Sequence, residues 1–342
     1  MNVRVGLIGF GGWTRTAYVP ALQRDGRAQI VSAAAPSEAT QQRIRSELGA
    51  GVDVYSSAAE LLTGPPIDAV CVAVSDAAHE EAIGAALDAG VHVFYEPPLA
   101  NERQRIRPMV KRLLDAPQVT HADLEIGFIP AFVEAVRRVR SGELGQLRTV
   151  SVRLQCSWDA NPEADLSTLN HIAPWYVDTL NRVVGGIPSR ALILEGSGLP
   201  GRAQRQCQGI YDYDGVWGTV QVNLGSVVEL ETTVEANGDD GDIVVDLFSG
   251  ALRQRSRENN EWSVEQIAES EPRAGWPGMN ECVAAFLDAV AGETPSETVP
   301  PADAPADAPA VALLHLIGMA AEASKESGGW ADIEAVSALH AE

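Results

Sequence analysis

Residues 3–9, VRVGLIG, form an apolar run that stops at glycine, and the mixed segment GFGGWTRTAYVPAL that follows has helical spacing interrupted by Pro20. The alternation then recurs. AQIVSAAA reads as a strand, SEATQQRIRSELG as a helix capped by Ser37, IDAVCVAV as a strand, AAHEEAIGAALDAG as a helix ending at Gly90, and VHVFYE as a strand. Unbroken β-branched runs belong to strands buried on both faces, and the amphipathic helices between them supply the cover. Residues 1 to about 120 therefore predict a doubly wound parallel sheet.

From about residue 146 the rhythm changes. TVSVRLQCSW is followed by a helix over about 170–184 and then by strands in succession: SRALILEGS, QRQCQGIYDYD, VWGTVQVNL, VVELETTVEA and DIVVDLF. Asp214-Gly215, between two of these runs, signals a tight hairpin. Consecutive strands after one helix predict an α+β half with a mostly antiparallel sheet. Helices are expected at about 278–291 and 305–325, and PADAPADAPA at 301–310 reads as a surface linker.

Composition narrows the function more than the fold. A chain of 342 residues, 45% hydrophobic and 21% charged, suits two globular domains. The expected location is cytoplasmic, because no apolar run reaches membrane-spanning length and the N-terminus carries no leader pattern. A formal charge of −22 argues against nucleic acid and anionic membrane as partners. Lys111 and Lys325 are the only lysines, which fits either a high-salt cytoplasm or a GC-rich genome. Cys71, Cys156, Cys207 and Cys282 are far apart and form no CxxC pair, so they read as core residues of a reducing compartment, and no metal-ligand spacing is present.

The candidate chemistry starts at the first glycine turn. Gly9, Phe10, Gly11, Gly12, Trp13 and Thr14 stand between the first strand and first helix, where a dinucleotide fingerprint belongs; Gly9 allows the turn and Gly11 a close pyrophosphate. Thr14 replaces the third glycine. The second strand ends Ala33-Ala34-Ala35-Pro36-Ser37 with no acid for a ribose 2′ hydroxyl, which leans towards NADP over NAD, with Ser37 and Arg43 available to a phosphate.

Four stretches, GFGGWTRTAYVPAL, HEEAIGAALDAGVHVFYEPPLA, FIPAFVEAVRRVRSGELGQLRTV and WYVDTLNRVVGG, resemble the glucose-fructose oxidoreductase, inositol dehydrogenase and rhizopine catabolism family, Gfo/Idh/MocA. The resemblance implies a Rossmann domain over residues 1–122 and a substrate and oligomerisation domain over 123–342 with a large open sheet, the final helices packing back on the first domain. It further implies hydride transfer between NAD(P) and a small sugar-like, carbonyl or imine substrate, in a homodimer or homotetramer assembled through that sheet. Val74, Ser75, His79, Glu96 and Pro98 take cofactor-side positions in this resemblance, His79 with a packing role.

Where the family has Glu-Lys-Pro, this chain reads Glu96-Pro97-Pro98, so the proton-handling lysine is Pro97. A second family motif, aligned on Asp178 and Gly185, places Trp175 at the usual histidine and His171 at the first acid. His171 and Trp175 share a helix face. His171 and Tyr176 are the candidate catalytic groups; Trp175, Pro97 and Glu125 are the candidate substrate pocket, with Glu125 read as equally suited to a solvated hinge. Trp13, Trp158, Trp175 and Tyr176 are candidates for an aromatic wall, against ordinary core packing. The basic run from Arg103 to Arg112 reads as a solvated helix surface. Two functions stand: an active NAD(P)-dependent oxidoreductase with altered proton handling, or a cofactor-binding relative that serves as scaffold or sensor.

Overall fold

The computed structural model describes residues 2–100, 102–157, 168–196, 206–267, 275–292, 307–336 and 339, with the side chains of 168–173 outside that set. The chain divides into two compact units, 1–125 with 273–312, and 126–272 with 313–342.

In the first unit six parallel strands are ordered β3-β2-β1-β4-β5-β6: β1 Val3–Ile8, β2 Ala28–Ala34, β3 Asp53–Tyr55, β4 Ala69–Val72, β5 His92–Tyr95 and β6 Thr120–Ala122. The strand order reverses at β1/β4, which is where open α/β sheets leave a ligand crevice at the carboxyl ends. The covering helices are α1 Val19–Asp25, α2 Glu38–Leu48, α3 Ala58–Thr63, α4 Asp76–Asp88 and α5 Arg103–Asp115. β4 is buried throughout, as its unbroken apolar run requires. Ser37 and Ser57 cap α2 and α3 by accepting from the amides of Thr40 and Glu60 at 3.2 Å each.

Pro20 does not break the first helix. It sits in the first turn of α1, and the preceding Thr14–Tyr18 widens into a π turn closed by Val19 N donating to Thr14 O. The basic helix α5 is one-sided: Ile106, Met109, Val110 and Leu113 are buried, while Arg105 pairs with Glu80 at 2.6 Å and Arg112 with Asp88.

The second unit holds α6 Pro130–Arg140, β7 Leu147–Cys156, α7 Thr168–Val184, β8 Arg190–Gly196, β9 Gln206–Asp212, β10 Trp217–Asn223, β11 Leu230–Gly238, β12 Gly241–Asp246, β13 Ala251–Ser256 and β14 Ser263–Gln266, with most of α9 Ala308–Ser327 and β15 Ala331–Asp332; α8 Met279–Ala291 falls between β14 and α9 in the chain. Its nine-stranded sheet runs β14-β13-β12-β11-β7-β10-β9-β8-β15 and is antiparallel except for the β7/β10 pair. The predicted α/β plus α+β fold is thus present. Asp214-Gly215 forms the expected hairpin tip, both residues at positive φ and Tyr213 N donating to Val216 O at 3.0 Å. α9 is tied to β8 by Ser324, whose hydroxyl accepts from Ile193 N at 3.0 Å. The linker expected over 301–310 gives way to helix at Ala308, where Asp307 accepts from Ala310 N at 3.1 Å; its earlier part lies outside the described residues. All four cysteines are buried.

α8 belongs to the first unit and packs on α1. Arg27, after α1, pairs with Asp25 at 2.7 Å and with Asp288 of α8, whose side chain is 8% exposed. Replacing Arg27 with Met strands that buried carboxylate, so a loss of about 2 kcal/mol is expected in urea unfolding. An unchanged midpoint would show that α8 is held by its apolar face alone.

Candidate functional site

The turn after β1 is built around Gly9. Its φ is 94°, and a Cβ placed there would lie 1.9 Å from the Ala73 carbonyl oxygen and 3.0 Å from Val74 Cγ1. Only glycine fits. Gly11 and Gly12 are the opposite case: both are exposed, and a Cβ on either meets nothing within 4 Å. The helix starting at Gly12 makes its first recorded turn through Arg15 N to Gly11 O, 3.3 Å, so the amides before Arg15 point out of its N-terminus into the open space above the two glycines. Outward amides, a positive helix end and unobstructed glycine backbone fit a pyrophosphate. Thr14, in place of a third glycine, is 1% exposed and donates to Gly9 O at 3.2 Å, which pins the turn from inside. Phe10 is buried beneath it.

The neighbouring loops are joined by His79. Its Nδ1 lies 2.6 Å from Pro98 O and its Nε2 2.9 Å from Val74 O, so one buried ring bridges the ends of β4 and β5. Ser75 precedes α4 and its carbonyl accepts from Ala78 N at 2.7 Å. Pro97 and Pro98 are buried and joined by a cis peptide bond, and β5 ends at Tyr95, one residue before Glu96.

Asp123, at the end of β6, anchors a network that the sequence does not announce. It is fully buried, and its Oδ2 accepts from Trp13 Nε1 at 2.6 Å and from the Tyr18 hydroxyl at 2.7 Å. Trp13 also packs edge-on against Trp276, with centroids 4.9 Å apart, and Trp276 Nε1 donates to Glu125 at 3.1 Å. Trp13, half-buried, therefore brackets the glycine turn to the segment just before α8. Glu125, at 4% exposure, is not the solvated hinge its sequence position allowed. Glu96 is half-buried, and its carboxyl is pushed up to about 9 first by desolvation and then by the charges of Asp123 and Asp76.

At the adenosine side, the Ser37 hydroxyl donates to Thr40 Oγ1 at 2.8 Å and accepts from Thr40 N, so capping already occupies it. Arg43 is exposed on α2.

In the second unit, Trp175 is half-buried and Tyr176 is 5% exposed on α7. Asp178 is buried one turn on and pairs with Arg182 at 2.5 Å; desolvation still holds its carboxyl above the ordinary range. Trp158 and the His171 side chain lie outside the described residues. Among the described residues, no group of three metal-ligating side chains occurs, and no helix is long and apolar enough to cross a membrane.

Residues 3–123 match the family described as oxidoreductase family, NAD-binding Rossmann fold, GFO_IDH_MocA. Over these residues the chain is similar to the Gfo/Idh/MocA oxidoreductases. The description of the matched residues, an NAD-binding oxidoreductase, agrees with the expected enzyme class. Among its curated relatives, 1,5-anhydro-D-fructose reductase of Ensifer adhaerens is 27% identical over 260 residues, 70% of this chain and 75% of that protein. Inositol 2-dehydrogenase of Agrobacterium fabrum is 29% identical over 131 residues, 38% of each. The fold of levoglucosan dehydrogenase in complex with NADH superposes with a TM-score of 0.80 at 19% identity, covering 98% of this chain and 100% of that one.

Proposed function

We propose that the chain is a nicotinamide-dependent oxidoreductase acting on a small sugar-like, carbonyl or imine substrate, with proton handling that does not pass through a Glu-Lys-Pro lysine. The observation that carries this reading is the first glycine turn: Gly9 is fixed by the Ala73 carbonyl, while Gly11 and Gly12 leave open backbone at a helix N-terminus. That division of labour has a physical use only if something polar approaches the backbone there. The bound cofactor supplies the hydride. Gly11 and Gly12 with the Trp13 and Thr14 amides hold its phosphates, and Val74, His79 and Pro98 shape the neighbouring rim. Two relatives named for reduction of an anhydrofructose and oxidation of inositol support the sugar-like substrate class.

His171 and Tyr176 remain the proposed proton-handling groups and Trp175 the proposed substrate contact. The missing acid after β2 favours NADP, although Ser37 is spent on its cap. Assembly through the open face of the nine-stranded sheet is part of the same reading; Leu194 and Trp217 lie on it at 59% and 43% exposure.

A second reading, a cofactor-binding relative without turnover, is favoured by Pro97 at the lysine position. Titration with NADH and NADPH separates the outcomes. Saturable binding, with NADPH at least as tight as NADH, followed by turnover on a panel of anhydro-sugars, inositols and imines is the expected result. Binding with no turnover across the panel would favour the second reading, and no binding of either cofactor would remove both.

A further inference from the structure

Glu96 and Asp123 are neighbours by register. Tyr95 pairs with Ala122 in the parallel β5/β6 ladder, Asp123 N donates to Tyr95 O at 2.9 Å, and Glu96 N donates to Val72 O at 3.0 Å. The two carboxylates therefore follow equivalent positions on adjacent strands, whose spacing is about 4.8 Å. They are not equivalent chemically. Asp123 accepts from both Trp13 and Tyr18, and these donors stabilise its charged form. The neighbouring elements set the charge around Glu96: Asp123 from the end of β6, Asp76 from the first turn of α4, and the Tyr18 hydroxyl from the π turn. His79, also on α4, is engaged with the carbonyls of Val74 and Pro98. At the next position, where a lysine would offer a cation, Pro97 offers none.

These carboxyl ends of β5 and β6 lie on the half of the crevice away from β2 and β3. With the pyrophosphate on the β1 turn and the adenosine over β2, the nicotinamide half of a dinucleotide falls over β4–β6. We infer that Glu96 is a proton-linked sensor of the cofactor's oxidation state: neutral in the free protein and beside the uncharged reduced ring, it loses its proton to solvent when the positively charged oxidised ring binds.

The balance is one proton, from the Glu96 carboxyl to buffer, with no redox change in the protein. The direction follows from Coulomb's law in a poorly hydrated site, since a cation favours the carboxylate that Asp123 and Asp76 disfavour. Supporting this, desolvation and then the charges of Asp123 and Asp76 push the free Glu96 carboxyl up, towards the protonated form, before any ligand arrives. The consequence is a bias: near pH 7 the protein holds the reduced cofactor more readily than the oxidised one, which suits a reductase.

The inference rests on the cofactor reading above, and the test separates the two. Calorimetric titration of the full chain with NAD⁺ and with NADH, each in phosphate and in Tris at pH 7.5, counts the protons released on binding; NADP⁺ and NADPH serve as a second pair. The expected result is release of close to one proton with the oxidised form and close to none with the reduced form. Between pH 6.5 and 8.5 the oxidised form should tighten by up to about tenfold per pH unit while the reduced form stays level. Glu96→Gln should bind both forms and lose the difference. Equal proton counts for the two forms in the wild-type chain would overturn the inference without touching the cofactor reading. Failure of all four nucleotides to bind would overturn the cofactor reading itself, and the inference with it.

Discussion

Gly9→Ala is expected to remove about 4 kcal/mol of stability and to abolish dinucleotide binding, whereas Gly11→Ala leaves stability unchanged and weakens binding. Gly9 combines a left-handed backbone with a carbonyl 1.9 Å from where a methyl would stand. Backbone strain of one residue and overpacking of one methyl each contribute about 1–3 kcal/mol, and here neither can relax without moving the Ala73 carbonyl and with it the end of β4. For a chain of this size that corresponds to a melting shift of roughly 6 °C. Gly11 faces open space, so its added methyl disturbs only what arrives from outside. Thermal melts and NADH titration of both variants give the contrast. A Gly9→Ala protein that melts with the wild type would show that the turn is looser than this geometry, and a Gly11→Ala protein with undiminished affinity would move the phosphates away from it.

His315→Leu should raise stability, and by more in acid than at neutral pH. His315 is 1% exposed on α9, and neither ring nitrogen has a hydrogen-bond partner. Burial pushes it down to about 4. An unfolded histidine titrates near 6.5, so the unfolded chain takes up the proton first. The penalty is absent above about pH 6.5, grows by about 1.4 kcal/mol per pH unit below it, and saturates near pH 4. His121 in the first unit, also pushed down to about 4 by burial, adds a second contribution of the same sign. Glu96 acts oppositely in the same window, because its folded carboxyl binds a proton that the unfolded one releases down to about 4.5. The wild-type pH profile is thus a sum of opposed slopes, and only the difference between variant and wild type isolates His315. The variant should gain about 1–2 kcal/mol at pH 7.5 from removal of unpaired buried nitrogens, and about 2 kcal/mol more at pH 5. An identical gain at both pH values would mean that His315 is not held neutral.

The first unit was readable where its strands are mostly buried, as in Val3–Ile8, Ala69–Val72 and His92–Tyr95, while the short β6 and the β3 strand, which has no buried residue, were not read. A run such as Ala69–Val72 has no other use, and the glycine turn follows from chain geometry alone. The far end of the second sheet was not readable: ALRQRS and SVEQ carry no apolar alternation, and every residue of β14 is exposed, so pairing with a neighbour and not burial makes them strands. The candidate site divides similarly. Gly9, Gly11, Gly12 and His79 were legible from local pattern, and the structure gives each a geometric reason. Asp123 was missed, because its partners Trp13 and Tyr18 are 110 and 105 residues away and nothing local marks a buried carboxylate as held. Trp276 and Glu125 meet across 151 residues for the same reason. Pro97 was legible, while the shift on Glu96, caused by desolvation and then by Asp123 and Asp76, depends on which strand ends lie side by side.

The π turn over Thr14–Tyr18 has a consequence for that buried carboxylate. Residues five apart on an α-helix point about 140° away from each other. A turn closed from i to i+5 is wider and brings them closer to one side. Trp13 and Tyr18 are five apart, and both reach the same oxygen of Asp123. The surplus residue of the π turn thus works as a spacer: it lets two donors reach one oxygen of Asp123, where a regular helix would have turned one of them away.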